Sequence, residues 1–249
     1  MNKTQSIKLE NVSVKYRVPN ERIGTFKEYI IRSLQGKIFH EKFYALKDIN
    51  LEVGEGEIFG LIGHNGAGKS TMLKLIARVL TPSEGRIEVC GSVSPLLELG
   101  AGFHPEMSGR ENVYLNGALL GFSKKEMDEK YRRIVEFAGL EDFIEAPMRT
   151  YSSGMWARLG FAVATDTRPD ILLVDEILAV GDEAFQKKCF DRINEFQKSG
   201  TTIFIVAHGM DIIQSMCQRV CWINQGNLMY IGDPETAIEK YRDGFRKDQ

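Results

Sequence analysis

The sequence predicts an α/β fold built around parallel strands. An apolar run at 58–62 is followed by a glycine-rich loop and a helical stretch at 70–78, which gives the order strand, loop, helix. A second apolar run, at 171–174, is typical of a strand that is buried on both faces, as in a parallel sheet. A third, at 202–207, follows a helical stretch at 183–198 that would cross between the two strands.

The N-terminal part of the chain is predicted to consist mainly of strands. Residues 7–16 alternate apolar and polar side chains, as a half-buried strand does. Residues 43–53 and 57–62 are predicted as a pair of strands joined by a turn at Gly54-Glu55-Gly56. Further strands are predicted at residues 86–90 and 93–99.

Residues 17–42 are predicted to form an insertion with a short amphipathic helix at 25–34. Its apolar face comprises Phe26, Tyr29, Ile30 and Leu34, and basic residues surround that face. A basic amphipathic helix can lie at a membrane surface or against a partner helix. It can equally pack on its own domain, and both interpretations remain open.

The middle of the chain is predicted to be helical. Ser108 with Glu111, and Ser123 with Glu126, have the spacing of capping boxes that begin helices. Residues 103–165 therefore form a mostly helical insertion between strands of the sheet. Near the C-terminus we predict two short strands around Gln225-Gly226-Asn227 and a helix that begins at Asp233 and Pro234.

The composition is that of a soluble globular protein. The chain has 249 residues, of which 43% are hydrophobic and 27% are charged. Its net charge of −2 gives no electrostatic reason to expect a nucleic acid partner. The four cysteines contain no Cys-x-x-Cys pair, which suggests a reducing cytosol, and Cys217 and Cys221 are better explained as buried thiols than as metal ligands. The N-terminal residues lack the apolar stretch of a signal peptide, so we expect none, and no apolar run approaches the roughly 20 residues of a membrane span.

A motif at residues 63–70 identifies a nucleotide phosphate site. It fits G-x-x-x-x-G-K-[ST] and lies between a predicted strand and a predicted helix, the context that this motif requires. Its glycines allow successive backbone N–H groups to point at a β-phosphate, with a helix N-terminus behind them. Lys69 would reach the β- and γ-phosphates, and the Ser70 hydroxyl would bind Mg²⁺. The predicted nucleotide-binding residues of the loop are Gly63, His64, Asn65, Gly66, Ala67, Gly68, Lys69, Ser70 and Thr71.

Four residues at the ends of predicted strands are candidates for the rest of the site. Asp175 and Glu176 end a buried strand, where an open α/β sheet binds its ligands. Asp175 suits Mg²⁺, and Glu176 suits a general base that aligns a water for attack on the γ-phosphate. His208 ends the next strand and could reach the γ-phosphate, and Tyr16 is a candidate for stacking on an adenine ring. The structural alternatives are a helix cap for the acids, a core histidine and an ordinary aromatic at a strand end.

In their order along residues 7–241 these motifs resemble those of the ATP-binding subunits of ABC transporters. Residues 63–70 match the Walker A motif, and residues 171–176 match the Walker B motif with its catalytic glutamate. Asp182 falls in the D-loop, His208 matches the switch histidine, and Tyr16 matches the adenine-stacking aromatic. The resemblance implies ATP and Mg²⁺ as ligands and ATP hydrolysis as the reaction.

The signature position of this family is occupied by Tyr151, Ser152, Ser153, Gly154 and Met155, in front of a helix that we expect to begin near Trp156. Ser152 and the Gly154 amide would form an anion site at the helix N-terminus, with Ser153 as the other candidate for the main phosphate contact. In the family this site grips the γ-phosphate bound to the other subunit. The resemblance therefore implies a head-to-tail homodimer with two ATP molecules at its interface.

The sequence departs from the common pattern of the family in ways that narrow the resemblance. The signature is Y-S-S-G-M rather than L-S-G-G-Q, and Glu98 stands where a Q-loop glutamine, a contact to metal or water, is expected. Together with L-L-E-L-G-A-G-F-H-P-E at 96–106 and D-E-I-L-A-V-G-D at 175–182, these features resemble the ATPases that export polysaccharides. That group includes O-antigen, capsule and teichoic-acid exporters.

The resemblance also implies the domain organisation. We expect a P-loop, RecA-like core with an antiparallel β subdomain and an inserted helical subdomain, which is the ABC ATPase architecture. Residues 1–249 would form a single domain, with 1–102 and 166–249 as the core and β subdomain. Residues 103–165 would be the helical subdomain that carries the signature, and residues 17–42 would be an insertion.

The function implied is that of an export motor bound to the cytoplasmic face of the cell membrane. It would hydrolyse ATP and drive a multi-span membrane permease that handles a lipid-linked glycan, with no nucleic acid involved. The contact with the permease would involve residues 98–107 and the helical segment. One alternative is a soluble ABC-type ATPase acting on nucleic acid or ribosomes, but the sequence lacks a coiled-coil insertion and a second cassette. Another is a P-loop kinase or GTPase, which would leave Y-S-S-G-M and His208 unexplained.

Overall fold

The computed structural model describes residues 5–19, 40–96, 99–175, 181–206 and 209–247. Its strands are β1 (Gln5–Pro19), β2 (His40–Gly54), β3 (Ile58–Ile62), β4 (Glu84–Val89), β5 (Val93–Leu96), β6 (Ile171–Asp175), β7 (Thr202–Val206), β8 (Arg219–Asn224) and β9 (Asn227–Gly232). Its helices are α1 (Lys69–Ile76), α2 (Gly109–Leu119), α3 (Lys124–Ala138), α4 (Ser153–Ala164), α5 (Glu183–Lys198), α6 (Met210–Met216) and α7 (Pro234–Lys247), with a 3₁₀ turn at Met148–Thr150. The amphipathic helix predicted at 25–34 lies outside the described residues.

A mostly parallel sheet forms the centre of the molecule. Its strand order is β5-β6-β7-β3-β8-β9, and every neighbouring pair is parallel except β8 and β9. All residues of β3 and β7 are buried, which explains their uninterrupted apolar sequences. The helix α5 connects β6 to β7, as the sequence predicts. The carboxyl ends of β3, β5, β6 and β7 therefore meet at one edge of the sheet.

A second sheet, antiparallel, has the order β2-β1-β4. The predicted pairing of the strands on either side of Gly54 and Gly56 is wrong. The turn itself is present, since Glu57 N donates to Gly54 O at 3.2 Å, but β2 pairs with β1 while β3 pairs with β7 and β8. The physical reason is burial: an all-apolar β3 needs cover on both faces, which only the central sheet offers.

The segment between β5 and β6 is helical, as predicted. Both capping boxes form, because Ser108 accepts from the Glu111 amide and Ser123 accepts from the Glu126 amide, and each glutamate bonds back to the amide of its serine. The helices α2, α3 and α4 enclose an apolar cluster of their own, which includes Leu159. The proposed boundaries of this subdomain stay a prediction.

Candidate nucleotide-binding site

The loop between β3 and α1 is shaped by glycines that allow close approach of other strands. Gly68 has a φ of +112°, and a Cβ there would lie 2.5 Å from the carbonyl oxygen of Ala45 in β2. A Cβ at Gly63 would collide with the carbonyl oxygen of Ile223 in β8. Since residues with a Cβ rarely adopt the φ of Gly68, the sequence has little choice at this position. The loop is therefore clamped between the two sheets.

Lys69 lies buried at the start of α1 and reaches back across the loop. Its Nζ donates to the carbonyl oxygens of Gly63 at 2.6 Å and His64 at 3.1 Å. The Ala67 amide also donates to the His64 carbonyl, at 3.1 Å. These bonds curl the loop around the lysine in front of a helix N-terminus that has no side-chain cap. Backbone N–H groups and a cation so arranged suit a phosphate.

The structure brings nine of the predicted site residues to one cleft of about 380 Å³, whose described lining does not include Gly63 and Ala67 of the loop. Its described lining residues are Tyr16, Phe43, Ala45, His64, Asn65, Gly66, Gly68, Lys69, Ser70, Thr71 and Asp175. Asp175 ends β6 at the edge of the sheet where the loop also lies, as expected for an open α/β sheet. The hydroxyl of Ser70 and the carboxylate of Asp175 are hard oxygen ligands of the kind that Mg²⁺ prefers.

Phe43 is a residue of the cleft that the sequence analysis missed. It lies directly opposite Tyr16 in the ladder between β1 and β2, and both rings are exposed. Two aromatic rings at the mouth of a phosphate cleft offer a stacking surface for a base, which every base can use through its π face. The only signal in the sequence is that Phe43 is an aromatic at the start of a predicted strand. That it lies opposite Tyr16 depends on the register between β1 and β2, which the sequence does not give.

Three predicted residues, Glu98, Glu176 and His208, lie outside the described residues. Each follows a strand of the central sheet in the sequence: Glu98 follows β5, Glu176 follows β6 and His208 follows β7. Their chemical roles stay predictions.

The helix α4 begins at Ser153, earlier than the predicted start near Trp156. The reason is a cap: the Ser152 Oγ accepts a hydrogen bond from the Met155 amide at 3.2 Å. Ser152 and Ser153 are both exposed, but the Ser152 hydroxyl is engaged as the helix cap, while Ser153 lies in the first turn beside Gly154. The helix N-terminus required for an anion site is present.

Tyr151, where the family pattern has leucine, is anchored in the helical segment. Its hydroxyl donates to the Phe143 carbonyl at 2.9 Å, and a Cβ at Gly109 would collide with that hydroxyl. Burial raises the pKa of Tyr151 to about 12, so the phenol keeps its proton. The tyrosine holds the segment before α4 against α2.

Asp182 caps the helix α5, and its Oδ1 accepts from the Phe185 amide at 2.8 Å. Among the described residues that line the nucleotide cleft, neither Asp182 nor any of residues 151–155 occurs. Within one chain, therefore, the signature and D-loop residues form no part of the cleft that holds the phosphate loop.

A second, apolar groove of about 360 Å³ lies between the central sheet and the helical segment. It is lined by β5, by residues 99–103 and by the ends of α2 and α4. Leu119 and Leu120 at its rim are 68% and 57% exposed. A Cβ at Gly160 would lie 2.5 Å from the Gly100 amide nitrogen, so the loop at 99–103 is packed directly on the helix that follows the signature.

Two absences hold for the described parts of the chain. No three His, Cys, Asp or Glu side chains gather there into a group that could hold a metal ion by themselves. Nor does any helix in those parts have the length and apolar character needed to cross a bilayer. The four cysteines are free thiols, and Cys217 and Cys221 are buried, as predicted.

The fold and the cleft define a P-loop nucleotide-binding protein. Residues 46–179 match the ABC transporter family. The O-antigen export system ATP-binding protein RfbB of Klebsiella pneumoniae is 50% identical over 201 residues, which cover 81% of this chain and 82% of that protein. The teichoic acids export ATP-binding protein TagH of Bacillus anthracis is 39% identical over 241 residues, 97% of this chain and 43% of that protein. The chain therefore belongs to the ABC transporter family.

A solved structure supports the fold. The ATP-binding cassette MJ0796, in a dimeric post-hydrolysis state bound to ADP and Pi, superposes with a TM-score of 0.73 over 92% of this chain and 98% of that one, at 22% sequence identity. The predicted fold class, an α/β P-loop core with an antiparallel sheet and a helical insertion, is confirmed.

Proposed function

We propose that this chain is the ATP-hydrolysing motor subunit of an ABC transporter that exports a lipid-linked polysaccharide of the O-antigen, capsule or teichoic-acid type. The observation that carries the proposal is the single cleft that joins the phosphate loop, Ser70, Asp175 and two exposed aromatic rings. The export function is supported by 50% sequence identity to an O-antigen export ATP-binding protein, over 81% of this chain and 82% of that protein.

ATP would bind with its base on Tyr16 and Phe43 and its phosphates on the loop. Lys69 would then exchange its bonds to the loop carbonyls for the β- and γ-phosphate oxygens. Ser70 and Asp175 are the residues that would hold Mg²⁺, which when bound neutralises charge on the phosphates. The carbonyl bonds of Lys69 keep the ammonium group in place before the phosphates arrive.

Hydrolysis would use residues that follow adjacent strands of the central sheet. Because β5, β6 and β7 are parallel neighbours, the residues that come after them start from the same edge of the sheet. This placement supports Glu176 as the general base that aligns the attacking water and His208 as a contact to the γ-phosphate. By the same argument we propose that Glu98, which follows β5 in the sequence, substitutes for the Q-loop glutamine.

A complete site would need a second copy of the chain. The N-terminus of α4, with the exposed Ser153 and the partly exposed Gly154, would offer an anion site outside the cleft of its own chain. We infer that it contacts the γ-phosphate bound by the other subunit, in a head-to-tail homodimer that encloses two ATP molecules. Ser152 supports this contact by capping the helix.

The apolar groove beside β5 is the surface that we propose for the membrane permease. The exposed leucines at its rim support this proposal, since soluble surfaces rarely leave such residues clustered around a cavity. The loop at 99–103 lies between this groove and α4, so a partner there would be mechanically linked to the signature. The motor would thus work at the cytoplasmic face of the cell membrane.

The transport function is tested by recovery of the partner from membranes. We would tag the Glu176→Gln chain, express it in its own host, solubilise membranes in mild detergent with ATP and Mg²⁺, and identify the co-purifying proteins. We expect a stoichiometric multi-span membrane protein, and accumulation of a lipid-linked glycan in cells when that protein is deleted.

Substitutions inside and outside the groove provide the control for this experiment. Leu119→Asp with Leu120→Asp should lose the membrane protein, whereas Phe143→Asp, an equally exposed apolar residue outside the groove, should keep it. A chain that co-purifies only with ribosomes or nucleic acid would overturn the transport function and favour the soluble ATPase.

A further inference from the structure

We propose that Tyr241, on the C-terminal helix α7, is a positioning residue for the nucleotide-binding loop and acts through His64. The inference rests on the nucleotide site proposed above. It adds to that site a residue that lies in none of its motifs and is 177 positions away from His64 in the sequence.

The two side chains are in direct contact. Their ring centroids are 4.9 Å apart with the planes inclined by 32°, and the Tyr241 hydroxyl lies 3.4 Å from the His64 Nδ1. His64 is the second residue of the loop and lines the nucleotide cleft. A helix outside the motifs thus rests on a residue of the phosphate loop.

The backbone of His64 organises the loop. Its carbonyl oxygen accepts from the Lys69 Nζ and from the Ala67 amide, each at 3.1 Å. The first bond places the ammonium group that would meet the phosphates, and the second closes the turn of the loop. Restricting the His64 ring therefore restricts the His64 carbonyl group, to which the Lys69 ammonium group is hydrogen-bonded.

Tyr241 is itself held firmly. Its ring meets the edge of Trp222 at 6.3 Å, and a Cβ at Gly244, one turn further along α7, would lie 2.7 Å from the Trp222 ring. Trp222 in β8 is the register partner of Ile62, the last residue before the loop. Burial raises the pKa of Tyr241, and its hydroxyl donates to the His64 Nδ1 or accepts from it, according to the histidine tautomer. Helix, strand and loop form one packed unit.

A purely structural role for Tyr241 makes a different prediction from a positioning role. If the ring only fills space under α7, its removal lowers stability and leaves nucleotide affinity unchanged. If it positions the loop, its removal weakens binding of a ligand that touches the loop. By linkage, the ligand then also steadies α7, because coupling between two sites is reciprocal.

The experiment is calorimetric titration of the full chain with ADP and Mg²⁺, which avoids turnover during the measurement. We expect Tyr241→Ala to weaken ADP binding about fivefold, the loss of one aromatic contact, and Tyr241→Phe to restore most of it. Tyr241→Leu removes the ring but keeps more apolar bulk than alanine, and it should show the loss even if the alanine variant folds poorly. Ile238→Ala, which removes a buried side chain from the same helix, should lower the melting temperature without changing ADP affinity.

A double-mutant cycle with His64→Ala identifies the route. In the His64→Ala background, Tyr241→Ala should weaken ADP binding no further, since the contact is already gone. Unchanged affinity in the Tyr241→Ala and Tyr241→Leu variants, or an equal loss in both backgrounds, would overturn the inference. A wild-type chain that binds no ADP would instead overturn the nucleotide site, and the inference with it.

Discussion

Gly68 and Gly66 both have positive φ values, +112° and +79°, yet their surroundings differ. A Cβ at Gly68 would lie 2.5 Å from the Ala45 carbonyl oxygen and 2.8 Å from the Leu46 side chain, whereas nothing lies within 4 Å of a Cβ at Gly66. At Gly66 the glycine serves only the backbone conformation. At Gly68 it also allows β2 to pack on the loop.

This difference predicts that alanine substitution lowers the free energy of unfolding by different amounts at the two glycines. We expect Gly66→Ala to lower the free energy of unfolding by about 1 kcal/mol, from backbone strain alone. Gly68→Ala should cost about 3 kcal/mol or more, because the collision with β2 adds to the strain. Urea unfolding of the two variants measures this, and equal losses would contradict the assigned role of the β2 contact.

At the scale of elements, Asp166 fastens α3 to the end of α4. Its side chain, 6% exposed, accepts from the Lys130 Nζ at 2.9 Å and from the Arg133 guanidinium at 2.8 Å. Burial alone would raise the pKa of Asp166, but hydrogen bonds from Arg133 and Lys130 outweigh it and hold the pKa below the ordinary value. The ionised carboxylate therefore stabilises the helical segment.

The sign of the pH dependence follows from that lowered pKa. The contribution of Asp166 is fully present above the unfolded pKa of about 3.9 and is lost as the pH falls through the folded pKa. We expect Asp166→Asn to destabilise the chain by about 2 kcal/mol at pH 7, less than for a fully buried pair because Arg133 is partly solvated.

Denaturant unfolding of both proteins from pH 7 downward measures the effect. The difference between wild type and Asp166→Asn should shrink as the pH drops below 4, since the wild-type carboxyl then takes up its own proton. Arg132→Gln is the control, because Arg132 is 88% exposed and pairs with Glu136 one turn along the solvent face of α3. A difference that stayed constant with pH would contradict an ionic role for Asp166.

At the scale of the whole molecule, the described lining of the nucleotide cleft includes neither the N-terminus of α4 nor the N-terminus of α5. The cleft gathers the phosphate loop and Asp175. We therefore expect a single subunit to bind a nucleotide without using its own residues 151–155. ATP bound between two chains would contact the cleft of one chain and the N-terminus of α4 of the other at the same time.

Glu176→Gln should trap that assembly. The amide cannot act as a general base, so ATP binding should persist, turnover should fall by at least about a hundredfold, and the chains should stay dimeric with ATP and Mg²⁺. Sedimentation velocity with and without ATP measures this, together with phosphate release. Glu195→Gln, an equivalent change at an exposed carboxylate on α5, should keep hydrolysing. A Glu176→Gln chain that remained monomeric, or still released phosphate at the wild-type rate, would contradict the proposal.

The local features of this protein were predictable from its sequence. The phosphate loop, the buried strand before it and the two capping boxes correspond to patterns a few residues long, where spacing alone fixes the hydrogen bonds or the buried face. The position of Asp175 followed as well, because the carboxyl ends of parallel strands meet at one edge.

Tertiary structure decided the pairings between distant segments. It placed β2 and β3 in different sheets, set Phe43 opposite Tyr16, and brought Tyr241 onto His64. A sequence pattern states that a face must be buried but does not name the surface that buries it. That choice depends on how all faces of the chain are covered together, and it is made only when both sheets and the helices have packed.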